Sequence, residues 1–343
     1  MMSHSIAVVT GAGAGVGRAT ARALGRAGFD VALLGRSEVR LQAAAKALEQ
    51  AAARALCVPV DVSDASAVEA AADHVEAELG PIALWVNCAG ATVIGPVAEL
   101  DAAELRRATE VTYLGTVHGT MAALRRMRRR GKGVIVNLDL APRLQGLPMQ
   151  AAEGGARAAV RGFCESLRAE LLHDGDRIRV ALVHLPGLNT PRYGWTRNLT
   201  GRLLRPVAPV YEPEVAGEAI CRAAFYDCDQ VWIGLGGQVT RALNAFLPRM
   251  MRRRRARLGY YAQMENLRAA ADAPSDLEAS VAGSFSVHGH FDQETRKATS
   301  LTPVFLCAPL PGFVKWIAGG VAGLGLAGFM LRKGVGKRER QDS

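Results

Sequence analysis

Thr10-Gly11-Ala12-Gly13-Ala14-Gly15-Val16-Gly17 places four glycines at alternate positions, after an apolar run and before an alanine-rich stretch. Glycine lets a main chain turn tightly and approach a pyrophosphate, whose charge is met by the amides that open a helix. The chemistry implied is a dinucleotide cradle, and the strand before and helix after it separate it from an ordinary glycine-rich turn. The next chemically informative group is Leu34-Gly35-Arg36. An NAD site usually ends its second strand on an acid that holds the ribose 2′-OH. Gly35 removes that acid, and Arg36 offers a planar fork for a 2′-phosphate, with Arg18 close to the glycine loop to join it. NADP(H) is therefore expected over NAD(H).

A second group could move protons. Glu153 and Arg157 stand at i,i+4, the spacing of a helix ion pair. Asp139 is the other carboxylate of this region, and two close carboxylates can raise one another's proton affinity. On that reading Glu153 or Asp139 would be a general base. Tyr113, Tyr193 and His184 also carry transferable protons, although Tyr113 reads as core and His184 as a satisfied buried histidine. Six scattered cysteines (57, 88, 164, 221, 228 and 307) show no C-x-x-C and no zinc spacing. No metal is expected, and the thiols read as those of a reduced, cytoplasmic protein.

These residues need a frame. Short apolar runs at 6–9, 31–34, 55–59, 84–87, 134–138, 180–184 and 231–233 alternate with helical stretches at 17–28, 40–53, 66–79, 105–130 and 155–173. Nearly all-apolar strands alternating with helices predict an α/β fold, a doubly wound parallel seven-stranded Rossmann sheet with helices on both faces. Residues 190–211 break the pattern with Pro, Arg and aromatic residues, where a substrate lid would sit. The expected division is a Rossmann-type domain over 1–242, a basic helix and irregular extension over 243–300, and an apolar tail over 301–343.

In order along the chain, these motifs resemble the short-chain dehydrogenase/reductase family. The T-G-x-x-x-G-x-G spacing covers Thr10, Gly11, Gly15 and Gly17, with Val16 inside it. Asp61-Val62 is similar to the pair beside the adenine, and Asn87-Cys88-Ala89-Gly90 to the N-x-A-G after the fourth strand. Pro186-Gly187 with Thr190 resembles the P-G-x-x-T that flanks the nicotinamide. The resemblance runs from about residue 5 to 239, and a weaker one to C-terminal extensions of one bacterial branch covers 287–292. It implies a dinucleotide-binding oxidoreductase and a homo-oligomer. It also implies an Asn-Ser-Tyr-Lys catalytic set, and here this chain departs. Thr112 stands for the Asn, Leu140 for the Ser, Glu153 for the Tyr and Arg157 for the Lys, and no Tyr-x-x-x-Lys occurs anywhere.

The expectation is thus a degenerate, non-catalytic or weakly active NADP(H)-binding protein. The alternative is an active NADP-dependent oxidoreductase or carboxylate-base enzyme, acting on an apolar or lipid-like carbonyl or alcohol through Glu153 or Asp139. The charge pattern adds a partner. The net charge is +10, yet residues 249–257 carry six Arg and no acid, and 301–343 carry six basic and two acidic residues, leaving the remainder neutral. A neutral body with basic C-terminal pieces suits an acidic membrane surface, reached from Arg252 to Arg257 and through the tail, rather than nucleic acid. Residues 316–331 are uncharged, and sixteen residues make about 24 Å of helix, marginal for a bilayer. With no secretory signal visible, the expected location is the cytoplasm, attached to the inner face of a membrane.

Overall fold

The computed structural model describes residues 5–49, 53–140, 146–234, 236–270, 273–283, 286–296 and 305–308. The strands are β1 (Ser5–Thr10), β2 (Phe29–Gly35), β3 (Ala55–Pro59), β4 (Ile82–Asn87), β5 (Gly133–Leu140), β6 (Ile178–Leu185) and β7 (Gln230–Ile233). They lie side by side in the order β3-β2-β1-β4-β5-β6-β7, and their pairings are parallel. Phe305–Ala308 adds an eighth strand beside β7. Near-continuous burial, as along β2 and β6, is what a sheet covered on both faces requires.

One face packs against α3 (Ala65–Glu78), α5 (Gly115–Arg130) and α6 (Ala151–Asp174), and the other against α1 (Gly15–Arg26), α2 (Glu38–Glu49) and α7 (Pro213–Phe225). Asp64 caps α3 by accepting from the amides of Ser66 and Ala67 at 2.9 and 3.0 Å. The single long helix expected over 105–130 is broken. α4 (Ala102–Thr109) passes through a π turn, Glu110–Leu114, before α5 begins, and Thr112 sits in that turn.

The stretch read as a lid is stitched down by short strands. Arg197–Asn198 pairs with Val93–Ile94, and Val210–Tyr211 lies between Gly187–Leu188 and Thr295–Arg296. Arg202–Leu204 pairs with Met264–Arg268. Beyond β7 come α8 (Gly236–Phe246) and the arginine-rich α9 (Pro248–Leu258), followed by irregular stretches at 273–283 and 286–291 in the same compact unit as the sheet. Residues 307–343 form a second unit. Apart from 305–308, the tail lies outside the described residues, and among those no helix is long and apolar enough to cross a membrane. The thiols need one correction. Cys57, Cys88, Cys164 and Cys221 are free, but Cys228 is disulfide-bonded, so uniform reduction does not hold.

Candidate functional site

Reversal of strand order between β1 and β4 opens a crevice at their carboxyl ends, where doubly wound sheets bind ligands. Thr10 ties its two sides together, its hydroxyl accepting from the amides of Cys88 and Ala89, both at 3.1 Å. Gly11 and Gly15 have φ of 65° and 52°, left-handed values that glycine adopts without a Cβ penalty. A Cβ on Gly17 would stand 2.1 Å from the Gly11 carbonyl oxygen. Larger residues cannot build this loop. It leaves the N-terminus of α1 without a side-chain cap, the environment a pyrophosphate needs. By this geometry the cradle fits the dinucleotide.

Gly11, Gly15, Val16 and Gly17 line a groove with Arg36, Asp61, Val62, Ala89 and Gly90. Two residues expected there do other work. Arg18 donates to the Ala43 carbonyl at 2.6 Å, fastening α1 to α2. Asn87 is buried, and its amide nitrogen donates to Asn137 Oδ1 at 2.8 Å and Thr120 Oγ1 at 3.1 Å, joining β4, β5 and α5 beneath the groove. Burial alone would raise the Asp61 carboxyl, but the Ser63 amide, Arg107 and the Ser63 hydroxyl more than offset it and hold that carboxyl below its usual range. Pro186, Gly187 and Thr190 border a smaller cavity of about 60 Å³ with Leu140, Leu147, Leu185 and Tyr193.

Of the four positions expected to correspond to the catalytic set, three carry side chains hydrogen-bonded within the fold and one, Leu140, is apolar. Thr112 donates to the Ala91 carbonyl at 2.7 Å and accepts from the Ala91 amide at 3.0 Å. Leu140 lines both cavities with a hydrocarbon side chain. Arg157 lines the groove and donates to the Leu138 carbonyl at 2.8 Å. Glu153 is 2% exposed, and both of its oxygens accept from Arg192, each at 3.1 Å. Burial would lower the Arg192 guanidinium, but the neighbouring Glu153 charge raises it above its ordinary value. Arg192 thus places a fork of donors and a positive charge directly against the Glu153 carboxyl.

The idea that Asp139 supports Glu153 as a base fails on strand geometry. Leu138 and Leu140 face the groove, so Asp139 between them points to the opposite face. There it accepts from His184 Nδ1 and Arg161, each at 3.0 Å. Burial would raise this carboxyl, but the His184 hydrogen bond, its charge and Arg161 hold it below the ordinary value. His184 is stacked on Trp232 at 3.8 Å between centroids and is held from its other nitrogen by Gln230, as expected of a satisfied core histidine. Tyr113 packs against the core. Sequence reasoning missed Arg40, Arg107, Arg192, Trp195 and Asp276. Arg40 lies over the Trp195 ring at 4.9 Å, and all but Arg107 line the groove. Only Arg40, four residues after Arg36 and in the first turn of α2, carried a local signal.

With this geometry in view, the similarities can be stated. A family described as short chain dehydrogenase matches residues 5–197. The chain is 26% identical over 331 residues to "Uncharacterized oxidoreductase YxnA" of Bacillus subtilis, covering 92% of this chain and 91% of that one. It is 29% identical over 244 residues to the 3-ketodihydrosphingosine reductase of Bos taurus, covering 69% and 73%. A solved metagenomic short-chain oxidoreductase in complex with NADP superposes with a TM-score of 0.56 at 26% identity, over 66% of this chain and 92% of that one.

Proposed function

The chain belongs to the short chain dehydrogenase family, and on that premise we propose that it binds NADP(H) in preference to NAD(H) as a member whose proton-transfer machinery has been lost. The observation that carries this is the buried Glu153–Arg192 pair where the family places its phenol. The cofactor supplies a hydride when bound. Reduction also needs a donor at the substrate oxygen, where negative charge develops. Leu140 has no polar hydrogen to give, and both oxygens of Glu153 are already engaged by Arg192. Glycine-loop amides would hold the pyrophosphate, Arg36 the 2′-phosphate, Asp61 and Val62 the adenine, and Pro186, Gly187 and Thr190 the nicotinamide side.

The test is a melting curve with NADPH and with NADH, followed by NADPH consumption on aldehydes and ketones. At a hundred times Kd, a ligand that binds only the folded state stabilises it by about 2.7 kcal/mol. The expected result is a larger shift with NADPH and no turnover. Ketone reduction that vanishes in Glu153→Gln would sink the reading.

The apolar cavity beside Pro186 favours a second reading, an oxidoreductase for an apolar or lipid-like substrate. Of the two carboxylates only Glu153 remains a candidate for it, and Tyr193 borders the cavity. Turnover abolished by Glu153→Gln would assign that carboxylate as its base, whereas turnover abolished by Tyr193→Phe with Glu153→Gln silent would assign the Tyr193 phenol instead.

For the partner surface, Phe246, Leu247, Met250, Leu258 and Tyr261 are exposed next to the arginines of α9. An apolar and basic surface of this kind suits the interface of an anionic bilayer. We expect co-sedimentation with phosphatidylserine vesicles, lost in 0.5 M salt on the order expected from screening, and none with phosphatidylcholine alone. The cytoplasmic inner-face location and the homo-oligomer remain part of this proposal, and light scattering reads the latter.

A further inference from the structure

The donors that would hold the dinucleotide are engaged by the chain's own C-terminal segment. Arg36 gives its guanidinium to the carbonyls of Asp276, Leu277 and Glu278. Arg40 gives its own to Val281 and Gly283. Gly15, the first amide of α1, donates to the Ser286 carbonyl at 3.3 Å. Arg107, which grips Asp61, also donates to the Leu277 carbonyl at 3.2 Å.

Leu277 is only 3% exposed and joins the core cluster containing Val60, Val62 and Val111, the apolar wall beside Asp61. Asp276 lines the groove within the fields of Arg36, Arg192 and Arg40, an acid among the cations that would meet phosphate. With this segment in place the groove holds about 200 Å³, below the usual range for a drug-sized ligand, about 300–1,000 Å³.

We propose that residues 276–283 are an internal competitor for the dinucleotide, with Leu277 in the adenine position and main-chain carbonyls on the phosphate-binding arginines, so that the segment must leave before cofactor enters. The inference rests on the reading of this groove as a dinucleotide site. The segment is anchored independently on its far side. The Phe291 amide donates to Asn189 Oδ1 at 3.1 Å, and Asn189 Nδ2 donates to Asp292 at 2.7 Å, so 276–283 can lift without losing that attachment. Because only the fraction with an open groove binds, the apparent Kd is the intrinsic value divided by that fraction.

Two measurements on the full chain test it. Calorimetric titration with NADPH compares the unsubstituted protein with Leu277→Ala, which removes the apolar plug, and Asp276→Arg, which places a cation among the cations of the groove. Separately, without cofactor, iodoacetamide labelling compares Leu277→Cys with the exposed neighbour Ala279→Cys. The expected results are at least tenfold tighter NADPH binding in both titrated variants, at least tenfold slower labelling at 277 than at 279, and acceleration at 277 by NADPH. Equal affinities in all three proteins overturn the competitor while leaving the dinucleotide reading intact. If none binds NADPH, the dinucleotide reading falls, and the competitor falls with it. The labelling ratio then decides only whether the segment sits in the groove.

Discussion

Asp139→Ala is expected to lower the free energy of unfolding by about 3 kcal/mol, the lower end of the cost of removing one partner from a buried ion pair. Asp139 has no exposed side-chain surface, and it holds His184 and Arg161 at once. Removing it strands a buried imidazole stacked on Trp232 and a guanidinium that keeps only 24% of its surface exposed. Partial access of Arg161 to water is why the lower end applies. A control is Asp176→Ala, which breaks the ion pair to the exposed Arg128 and should cost under about 1 kcal/mol. Urea melts of the two variants read the difference, and equal midpoints would show that the Asp139 cluster is not the structural tie described.

The same variant has a pH signature. The Asp139 carboxyl is held below its ordinary value in the folded protein. The folded state therefore binds this proton less readily than the unfolded chain, so the carboxylate's contribution is complete above the unfolded value, about 3.9. It disappears as pH falls through the folded value. The stability gap between unsubstituted protein and Asp139→Ala should narrow as the pH falls below about 4. A gap that widens on acidification would contradict the direction of the shift.

What could be read from sequence depended on how far apart the interacting residues lie. The glycine loop was legible because strand, loop and helix are contiguous, and the doubly wound sheet because each strand announces itself as an apolar run. Arg36 was identified as a fork for an anion. Its bonds to carbonyls some 240 residues later were not, because an irregular segment carries no period that says where it will lie. Spacing at i,i+4 matches Glu153 with Arg157, while Arg192 closes on both of its oxygens through a 3-10 turn at Pro191–Gly194 that no helical rule reaches. Asp139 was a different kind of miss. Strand alternation between Leu138 and Leu140 puts it on the face away from the groove, so its nearness to Glu153 along the chain does not bring the two carboxylates together.

Rebuilding the proton-transfer groups should produce the largest functional change available in this chain. Leu140→Ser, Glu153→Tyr and Arg157→Lys, introduced together in a Leu277→Ala background, are expected to raise NADPH-dependent ketone reduction by about 10²–10⁴ over that background, the usual worth of a positioned general acid. Leu140 lines both cavities, so a hydroxyl there faces the groove and the smaller cavity at once. A phenol at position 153 would stand beside Arg192, and a neighbouring cation favours its ionised form and so strengthens it as a donor. Leu140→Ser alone should do little, since groups that act as a unit are strongly non-additive. Melting curves of the rebuilt protein separate misfolding from inactivity. A folded rebuilt protein that binds NADPH but gains nothing would show that the loss lies elsewhere in the site. A background already as fast as the rebuilt chain would mean that another donor, with Tyr193 first in line, has been active throughout.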